Sequence, residues 1–301
     1  MRHAYIIMAH NNWQQLYRLI HLLDSPNADF YVHIDIRAKD FNKSKFDGVC
    51  EYSKVYFYSE FKNYWGSYRL VESELFLLDM ATALDYDYYH LLSGADLPIK
   101  SRNYIENFFE DNKGKEFIHF DTDERLAMDK ELERRTRLYH WLQNYRRRFE
   151  AGWLNMLFTF FERCSLIIQL ILGVNRLRKK DIKIYYGSQW FSITHNLAVY
   201  VLSQRELVAE LFKSTNCSDE LILQTLIMQS DFKDKLYIKS RCDTCLSNMR
   251  LIDWKRGKNG SPYTWQPSDI DELKDSGCLF ARKFSPDFPD SLIHELLEES
   301  G

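Results

Sequence analysis

Residues 85–101 read Asp-Tyr-Asp-Tyr-Tyr-His-Leu-Leu-Ser-Gly-Ala-Asp-Leu-Pro-Ile-Lys-Ser, and this stretch decides the fold class. Its aromatic and aliphatic run, Tyr88–Leu92, is typical of a buried β-strand. The run ends in a small-residue loop that carries Asp96, and Ser101 is a suitable N-cap for a helix over Asn103–Asp111. A strand, a short loop with a carboxylate and then a helix is how open α/β sheets present chemistry at their carboxyl edge. The alternative is an ordinary strand–turn–helix in which Asp96 only stabilises the turn.

The N-terminal region extends this α/β pattern. Tyr5–Ala9 is strand-like, and Asn11 or Asn12 is a suitable cap for an amphipathic helix through Asp24. A second strand is predicted over Tyr31–Asp35, so strand, helix and strand fit within about 35 residues and indicate a parallel βαβ unit. Because no Gly-x-Gly-x-x-Gly or P-loop motif occurs at the first turn, a dinucleotide or NTPase site is not favoured there.

Further elements are predicted along the chain. The strand candidates are Val55–Tyr58, Glu116–Asp121, Ile182–Tyr186 and Leu236–Lys239, and the longest further helices are Arg69–Leu84 and Phe288–Glu298.

Composition excludes some classes of protein. The 301 residues are 45% hydrophobic, enough for a substantial core, and the net charge of -3 argues against a nucleic-acid partner. The six cysteines are scattered, and Cys242–Cys245 is a lone CxxC without a second ligand pair, so we expect free thiols in a reducing compartment. The N-terminus reads as a strand rather than a signal peptide, which indicates a cytoplasmic protein.

The segment Leu92–Ser101 resembles the "SG-x-D-x-PI-x-S" motif of the core-2/I-branching β-1,6-N-acetylglucosaminyltransferase family, which also holds the peptide O-xylosyltransferases. Further segments are similar to motifs of that family: His33–Ala38, Gly187–Ile193, Arg250–Trp254 and Leu279–Phe284. The resemblance covers most of the chain except about 125–182. It implies one domain over 1–301 of the GT-A type, a Rossmann-like mixed sheet flanked by helices. Residues at about 125–182 depart from the family and read as a helical apolar insertion. The short N-terminal region, without the stem and anchor expected of a Golgi enzyme, suggests a bacterial member.

Two adjacent cations, Arg282 and Lys283, lie inside the apolar run Leu279–Phe284. Such a run is normally buried, so the cations are hard to explain as a solvated face, and a fixed anion nearby would account for them. In the resembled family this lysine binds the diphosphate of the donor, and we expect Arg282 or Arg256 to assist it here.

The uridine end of the donor is assigned by resemblance. Asp35, in the "H-x-D-x-K/R-A" segment, is expected to accept from the base or ribose, together with main chain around Ile7 and His10. Trp65, at a glycine turn before a helix, is expected near the donor. The alternative for Asp35 is a plain strand end with an aspartate turn.

Glu220 follows Cys217-Ser-Asp at a predicted helix start. On the residues alone, a capping role is the simpler interpretation. The match to the family's "(S/P)-D-E" segment implies instead that Glu220 is the catalytic base.

The acceptor side is predicted from the same resemblance. The expected acceptor contacts are Asp96, Asp121, Asp123, Lys130, Trp190 and Trp254. Asp121 and Asp123 also form an Asp-x-Asp pair of the kind that holds a divalent metal, and a solvated helix start is a third interpretation of the pair. Because the resembled family works without a metal, we expect no metal and no cofactor.

The segment 153–174 is strongly apolar, and its polar residues Asn155, Thr159, Glu162, Gln169 and Gly173 fall on one helical stripe. Basic residues flank it at 146–148 and 176–180. The pattern favours a helix that lies on an anionic membrane surface through 146–180. A buried helical pair, a dimer contact and a membrane span remain alternatives; for the span, each charge at the bilayer centre costs roughly 2.5–3.5 kcal/mol.

Together these features predict an inverting, metal-independent transferase. It would move a sugar, N-acetylglucosamine or xylose, from a UDP-sugar to a hydroxyl of a glycan or lipid-linked acceptor and form a β-linkage. We expect a peripheral protein on the inner face of the bacterial plasma membrane. The alternative is a non-catalytic glycan- or lipid-binding module, which would need neither Glu220 nor Lys283.

Overall fold

The computed structural model describes residues 1–145, 148–149, 151–178 and 180–298. In it, a six-stranded mixed sheet has the order β3-β2-β1-β4-β7-β6. Its strands are β1 (His3–Ala9), β2 (Ala28–Ile34), β3 (Val55–Tyr58), β4 (Tyr88–Ser93), β6 (Phe117–Ile118) and β7 (Phe191–Thr194). A second, three-stranded sheet is formed by β5 (Asp96–Pro98), β9 (Phe280–Arg282) and β8 (Arg250–Ile252).

Helices cover both faces of the large sheet. In chain order they are α1 (Trp13–Leu22), α2 (Arg69–Thr82), α3 (Arg102–Asp111), α4 (Asp123–Met128), α5 (Lys130–Arg137), α6 (Gly152–Ile171), α7 (His195–Ser203), α8 (Arg205–Phe212), α9 (Ile222–Met228), α10 (Ile270–Asp275) and α11 (Asp290–Glu298). Two clusters of buried apolar residues, one on each side of the sheet, make up the core.

The parallel half of the sheet matches the predicted βαβ pattern. β1 pairs in parallel with both β2 and β4, so it is buried on both faces and is almost wholly apolar, as central parallel strands are. Ser101 caps α3 by accepting from the N–H of Tyr104, as predicted. The predicted fold class, a mixed sheet flanked by helices, is therefore confirmed.

Two predicted strands are absent from the described chain. The segment 182–186 runs beside α9, where the Tyr185 N–H donates to the Thr225 hydroxyl instead of to a strand. The segment 236–239 contributes only a single bridge, between Leu236 and Glu116. Their apolar residues satisfied the pattern of a strand, but their backbone groups bond to side chains and loops. The predicted strand over Glu116–Asp121 is shortened to β6.

The second sheet brings distant parts of the chain to one place. β9 pairs antiparallel with β5, and the register sets Asp96 opposite Arg282. The loop after β4 and the cations Arg282 and Lys283 at the end of β9 therefore meet at the carboxyl edge of the large sheet.

The apolar segment forms α6, and its polar stripe faces the protein while most of its large apolar side chains are exposed. By length and composition alone α6 is sufficient to cross a membrane. Of the predicted basic flanks, Arg146, Arg147 and Lys179 lie outside the described residues.

Candidate functional site

The donor-side residues of the sequence prediction gather at the carboxyl ends of β1 and β2. His10 directly follows β1 and Asp35 directly follows β2, and the Asp35 N–H donates to the carbonyl of Ala9. Partial burial lowers the pKa of His10; the charge of Asp35 opposes this, while Arg37, Arg282 and Lys283 lower that pKa further. The electrostatic influence of Arg282 and Lys283 places His10 near the cations at the end of β9.

Asp35 is nearly inaccessible, because its carboxylate is already held by the protein. The Arg37 guanidinium grips both oxygens, at 3.0 and 2.8 Å, and the Asn63 N–H donates at 2.9 Å. Burial would raise the pKa of Asp35, but these hydrogen bonds bring it below its usual range. The geometry shows an ionised carboxylate that shapes the loop, and a ligand would reach it only if this network rearranged. Ile7 is buried in β1 and paired with both neighbouring strands, opposite Val32 and Leu92, so a ligand can meet only the main chain that follows it at the end of the strand.

Arg282 lies at the centre of the carboxyl edge. Its guanidinium pairs with Asp96 at 2.8 Å and sits over the ring of Trp190, 4.6 Å from the ring centroid. Asp96 also accepts from the N–H and hydroxyl of Ser93, so its oxygens are occupied. Asp96 and Trp190 are both buried. Their observed role is to hold Arg282, and neither presents a free face to an acceptor.

Lys283 is less restrained. Its ammonium donates to the Ser261 hydroxyl at 3.0 Å. Burial, and after it the charge of Arg282, lowers the pKa of Lys283. Two cations held this close favour an incoming anion. Arg256, by contrast, is enclosed by Asp253, Asp269 and Glu272 and stacks on Tyr263 and Trp265.

Glu220 ends a short 3-10 helix, Ser218–Glu220, just before α9. α9 has no side-chain cap, so the capping interpretation of Glu220 is wrong. The backbone around Glu220 is instead fixed by a close approach: the Gly187 N–H donates to the Glu220 carbonyl at 3.0 Å. A Cβ at Gly187 would lie 2.0 Å from the His119 carbonyl oxygen, which explains why glycine is needed there.

Glu220 and the two cations lie at one edge of the sheet. Trp190, under Arg282, immediately precedes β7, and Gly187, which bonds to Glu220, lies three residues earlier in the chain. On the other side, the Gly66 carbonyl accepts from the N–H of Cys217 at 2.8 Å. The turn that carries the half-exposed Trp65 therefore packs against the loop that leads to Glu220.

Arg135, on α5, is a candidate site residue that the sequence analysis missed. Its guanidinium donates to the Glu220 carboxylate at 3.1 Å, and both side chains are largely shielded from solvent. Burial raises the pKa of Glu220; Arg135 opposes this, as does a hydrogen bond from Tyr186. The pKa of Glu220 is raised overall, and the ion pair with Arg135 offsets part of the effect of burial.

A second carboxyl lies behind the first. Asp219 is buried, and burial together with the charge of Glu220 raises the pKa of Asp219 to about 7. Asp219 and Glu74 line one cavity. The Glu74 carboxylate accepts from the amide of Gln189 at 2.8 Å, and burial raises the pKa of Glu74 as well. Perturbed carboxyls gathered in this way are typical of functional sites, although structural networks produce them too.

The remaining acceptor candidates differ in their burial and in their partners. Asp121 is buried and pairs with Arg125 at 2.7 Å, and Asp123 pairs with Arg241 and Lys183. Lys130 is exposed at the start of α5. Trp254 is 58% exposed, so its ring is free to stack on the apolar face of a sugar.

The acid pair Asp121 and Asp123 is the candidate metal site of the sequence analysis. Over the described residues, no group of three or more His, Cys, Asp or Glu side chains is placed to hold a metal ion. Metal independence remains a prediction.

Open α/β sheets bind their ligands at the carboxyl ends of the strands, and here acids and cations gather at that edge. The model of the Core-2/I-Branching enzyme family matches residues 3–274. The chain therefore belongs to the core-2/I-branching enzyme family, as the resemblance implied.

Curated relatives point the same way. The chain is 24% identical to xylosyltransferase 2 of Bos taurus over 323 residues, which cover 98% of this chain and 33% of that protein. It is 24% identical to xylosyltransferase sqv-6 of Caenorhabditis elegans over 254 residues, 81% of this chain and 27% of that protein. The chain thus spans about a third of the length of these relatives. The crystal structure of mouse xyloside xylosyltransferase 1, apo form, aligns over 93% of this chain and 97% of that one, with 11% identity and a TM-score of 0.37.

Proposed function

We propose that this protein transfers a sugar from a UDP-sugar to a hydroxyl of a glycan or lipid-linked acceptor, with inversion and without a metal. The observation that carries the proposal is the pairing of Glu220 with Arg135 at the edge that also holds Arg282 and Lys283. A charged base and a cation for the leaving group are the two parts that such a transfer needs.

The leaving group determines the role of the cations. As the sugar–phosphate bond breaks, negative charge grows on the departing diphosphate while the sugar takes on oxocarbenium character. A fixed cation aimed at that charge lowers the barrier without reorganisation. Lys283 supplies it, because Ser261 is a weak partner that a phosphate oxygen can replace. Arg282, held by Asp96 and Trp190, adds to the positive potential from a fixed position.

Glu220 acts on the acceptor. It takes the proton from the attacking hydroxyl, a role typically worth about 10²–10⁴ in rate. Attack from the face opposite the diphosphate inverts the anomeric carbon and gives a β-linkage from an α-linked donor. Trp254 supports the apolar face of the acceptor sugar. Asp35, His10 and Trp65 shape the donor side, and the uracil end meets the main chain around Ile7.

The donor sugar is N-acetylglucosamine or xylose in this proposal, because the family shares its motifs between them and the relatives above are named xylosyltransferases. We further propose that the protein is bacterial and cytoplasmic and works at the inner leaflet of the plasma membrane on a lipid-linked acceptor.

A donor screen tests the proposal. Thermal shift and UDP release are measured with UDP-GlcNAc, UDP-xylose, UDP-galactose and UDP-glucose, each with and without EDTA. We expect one of the first two donors to stabilise the protein and to release UDP faster when a sugar acceptor is added, with no effect of EDTA. Activity lost in EDTA and restored by Mn²⁺ would show that Asp121 and Asp123 hold a metal. Stabilisation by glycans alone, without UDP release from any donor, would favour a binding module.

A further inference from the structure

The orientation of α6 is the reverse of that expected for a surface helix of a water-soluble protein: its polar side chains face the protein and its large apolar side chains face outward. Glu162 is 2% and Gln169 is 4% exposed, although both are polar, and they face the body of the protein. Large apolar side chains on the opposite side are exposed, among them Trp153, Met156, Phe160, Ile167, Ile168 and Ile171. A contiguous apolar face of this kind marks a surface that is covered in use.

The polar stripe is firmly engaged, so this orientation is not accidental. Gln169 accepts from the N–H of Tyr139 at 2.8 Å and donates to the carbonyl of the same residue at 3.0 Å. Glu162 accepts from the N–H of Leu142 at 3.1 Å and contacts the ring of His140 at 3.1 Å. Asn155 makes the same two-way bond with the backbone of Phe149.

These three residues are spaced seven apart, which places them on one face two helical turns from each other. Tyr139, Leu142 and Phe149 lie along that face and their backbone N–H groups bond to it. The inner face of α6 is therefore committed to the protein, and rotating the helix would leave buried polar groups without partners.

Charge indicates what covers the outer face. Over 148–178, leaving out the undescribed Glu150, the exposed charged side chains are all arginines: Arg148, Arg163 and Arg178. The acidic residue among the described ones, Glu162, is buried. On a helical wheel Arg163 lies about 80° from the centre of the apolar face, so its guanidinium can reach the headgroup region while its neighbours are buried.

We propose that α6 is a docking helix that lies in the surface of an anionic bilayer, with the face of Trp153, Phe160 and Ile171 in the acyl boundary and Arg163 at the headgroups. A lying helix fits because its inner face stays bonded to Tyr139, Leu142 and Phe149, whereas a span would strip those bonds in a medium that cannot replace them. A second copy of the chain fits less well, because among the described residues of α6 the exposed charge is Arg163 and the acid, Glu162, is buried, so a twofold-related partner would have no acid to pair with it. The inference rests on the proposed function, which places a lipid-linked acceptor at the inner leaflet.

Vesicle flotation of the purified full chain tests the proposal. Vesicles of phosphatidylcholine alone are compared with vesicles of equal parts phosphatidylcholine and phosphatidylglycerol, at low and high salt. We expect binding to the anionic vesicles that weakens with salt, and weak binding to the neutral ones.

Matched variants locate the surface. Leu157→Ser, on the face, is compared with Leu84→Ser, at the end of α2; the two leucines are 41% and 42% exposed, so neither change opens a core cavity. The double change Phe160→Ser/Ile171→Ser is expected to lower the partition coefficient at least tenfold. Arg163→Gln/Arg178→Gln is expected to lower it about fivefold for each arginine at low salt, which corresponds to ~1 kcal/mol per charge. The control Lys43→Gln/Lys45→Gln, which removes the same charge elsewhere, should leave it unchanged.

Several results would overturn the proposal: no flotation with anionic vesicles, flotation that the face variants do not alter, resistance to alkaline carbonate extraction as expected of a span, or a dimer in solution that the face variants convert to a monomer. UDP release with a soluble sugar acceptor is measured on the same proteins. Flotation without transfer would refute the proposed function alone, and transfer without flotation would refute the docking helix alone.

Discussion

Replacing Glu220 with glutamine tests the centre of the proposed mechanism. The change removes the charge and the proton affinity of the base but keeps its shape. Since the amide oxygen of glutamine can occupy the position of Oε2, it can still accept from Arg135 at about the present 3.1 Å. The bond from the Gly187 N–H to the Glu220 carbonyl comes from backbone and does not change.

The magnitude follows from the role. Losing a general base lowers the rate of the chemical step by about 10²–10⁴, which is ~2.7–5.4 kcal/mol in the activation free energy. UDP affinity should stay within about twofold of the wild-type value, because the diphosphate contact is assigned to Lys283 and not to Glu220. The expected signature is therefore a loss of kcat with donor binding preserved.

The assay is steady-state UDP release with a donor and an acceptor sugar, with UDP binding measured by calorimetry. The matched control is Glu133→Gln on α5, which also removes a carboxylate paired with an arginine, Arg137 at 2.9 Å, but lies outside the proposed machinery. Normal turnover by Glu220→Gln would refute the assignment of the base. A large loss of UDP affinity would show that Glu220 acts on the donor instead.

Three further predictions come from the neighbours of the base. Lys283→Ala should weaken UDP binding by about 1.5–3 kcal/mol, the value of a hydrogen bond to a charged group. Arg256→Ala should leave UDP affinity nearly unchanged, because three carboxylates already enclose Arg256. Calorimetry measures both affinities, and equal losses would contradict this difference between the two cations. Arg135→Gln should move the acidic limb of the pH profile of kcat to higher pH. Burial raises the pKa of Glu220 and Arg135 opposes that rise, so the pKa increases when Arg135 is lost. An acidic limb that stays in place would rule out the pairing in solution. Gly187→Ala should destabilise the fold by about 1–3 kcal/mol in urea unfolding, because its Cβ would lie 2.0 Å from a backbone carbonyl, while Gly152→Ala, with open space around it, should be tolerated.

The elements that local sequence determines were predictable. The apolar run before Asp96 and the cap at Ser101 act over a few residues, and both β4 and α3 formed where these signals indicated. The position of Arg282 opposite Asp96 was not predictable in this way, because it depends on pairing between strands that are far apart in the chain. Resemblance to a family named both residues, but only the fold shows that one restrains the other.

Arg135 gave no local signal. It lies 85 residues before Glu220, in the part of the chain where the resemblance ends, and its helix reads as an ordinary charged surface helix. The polarity of α6 is a related case. Periodicity grouped Asn155, Glu162 and Gln169 on one stripe, but it cannot say whether a stripe faces the protein or the solvent. The orientation of the stripe depends on its partners, the backbone groups of Tyr139, Leu142 and Phe149, and backbone groups give no signal in the sequence.

These two features that only the structure shows are physically connected. The backbone of Tyr139, bonded to Gln169 of α6, follows two residues after the end of α5, and Arg176 donates back to the carbonyls of Arg137 and Leu138. Since α5 carries Arg135, the inner face of α6 anchors the helix whose arginine pairs with the proposed base. The insertion is therefore more than an appendage on the sheet: its outer face is the proposed contact with lipid, and its inner face supports the cation beside Glu220. A membrane-bound acceptor and the carboxylate that would deprotonate it thus depend on the same short segment of chain.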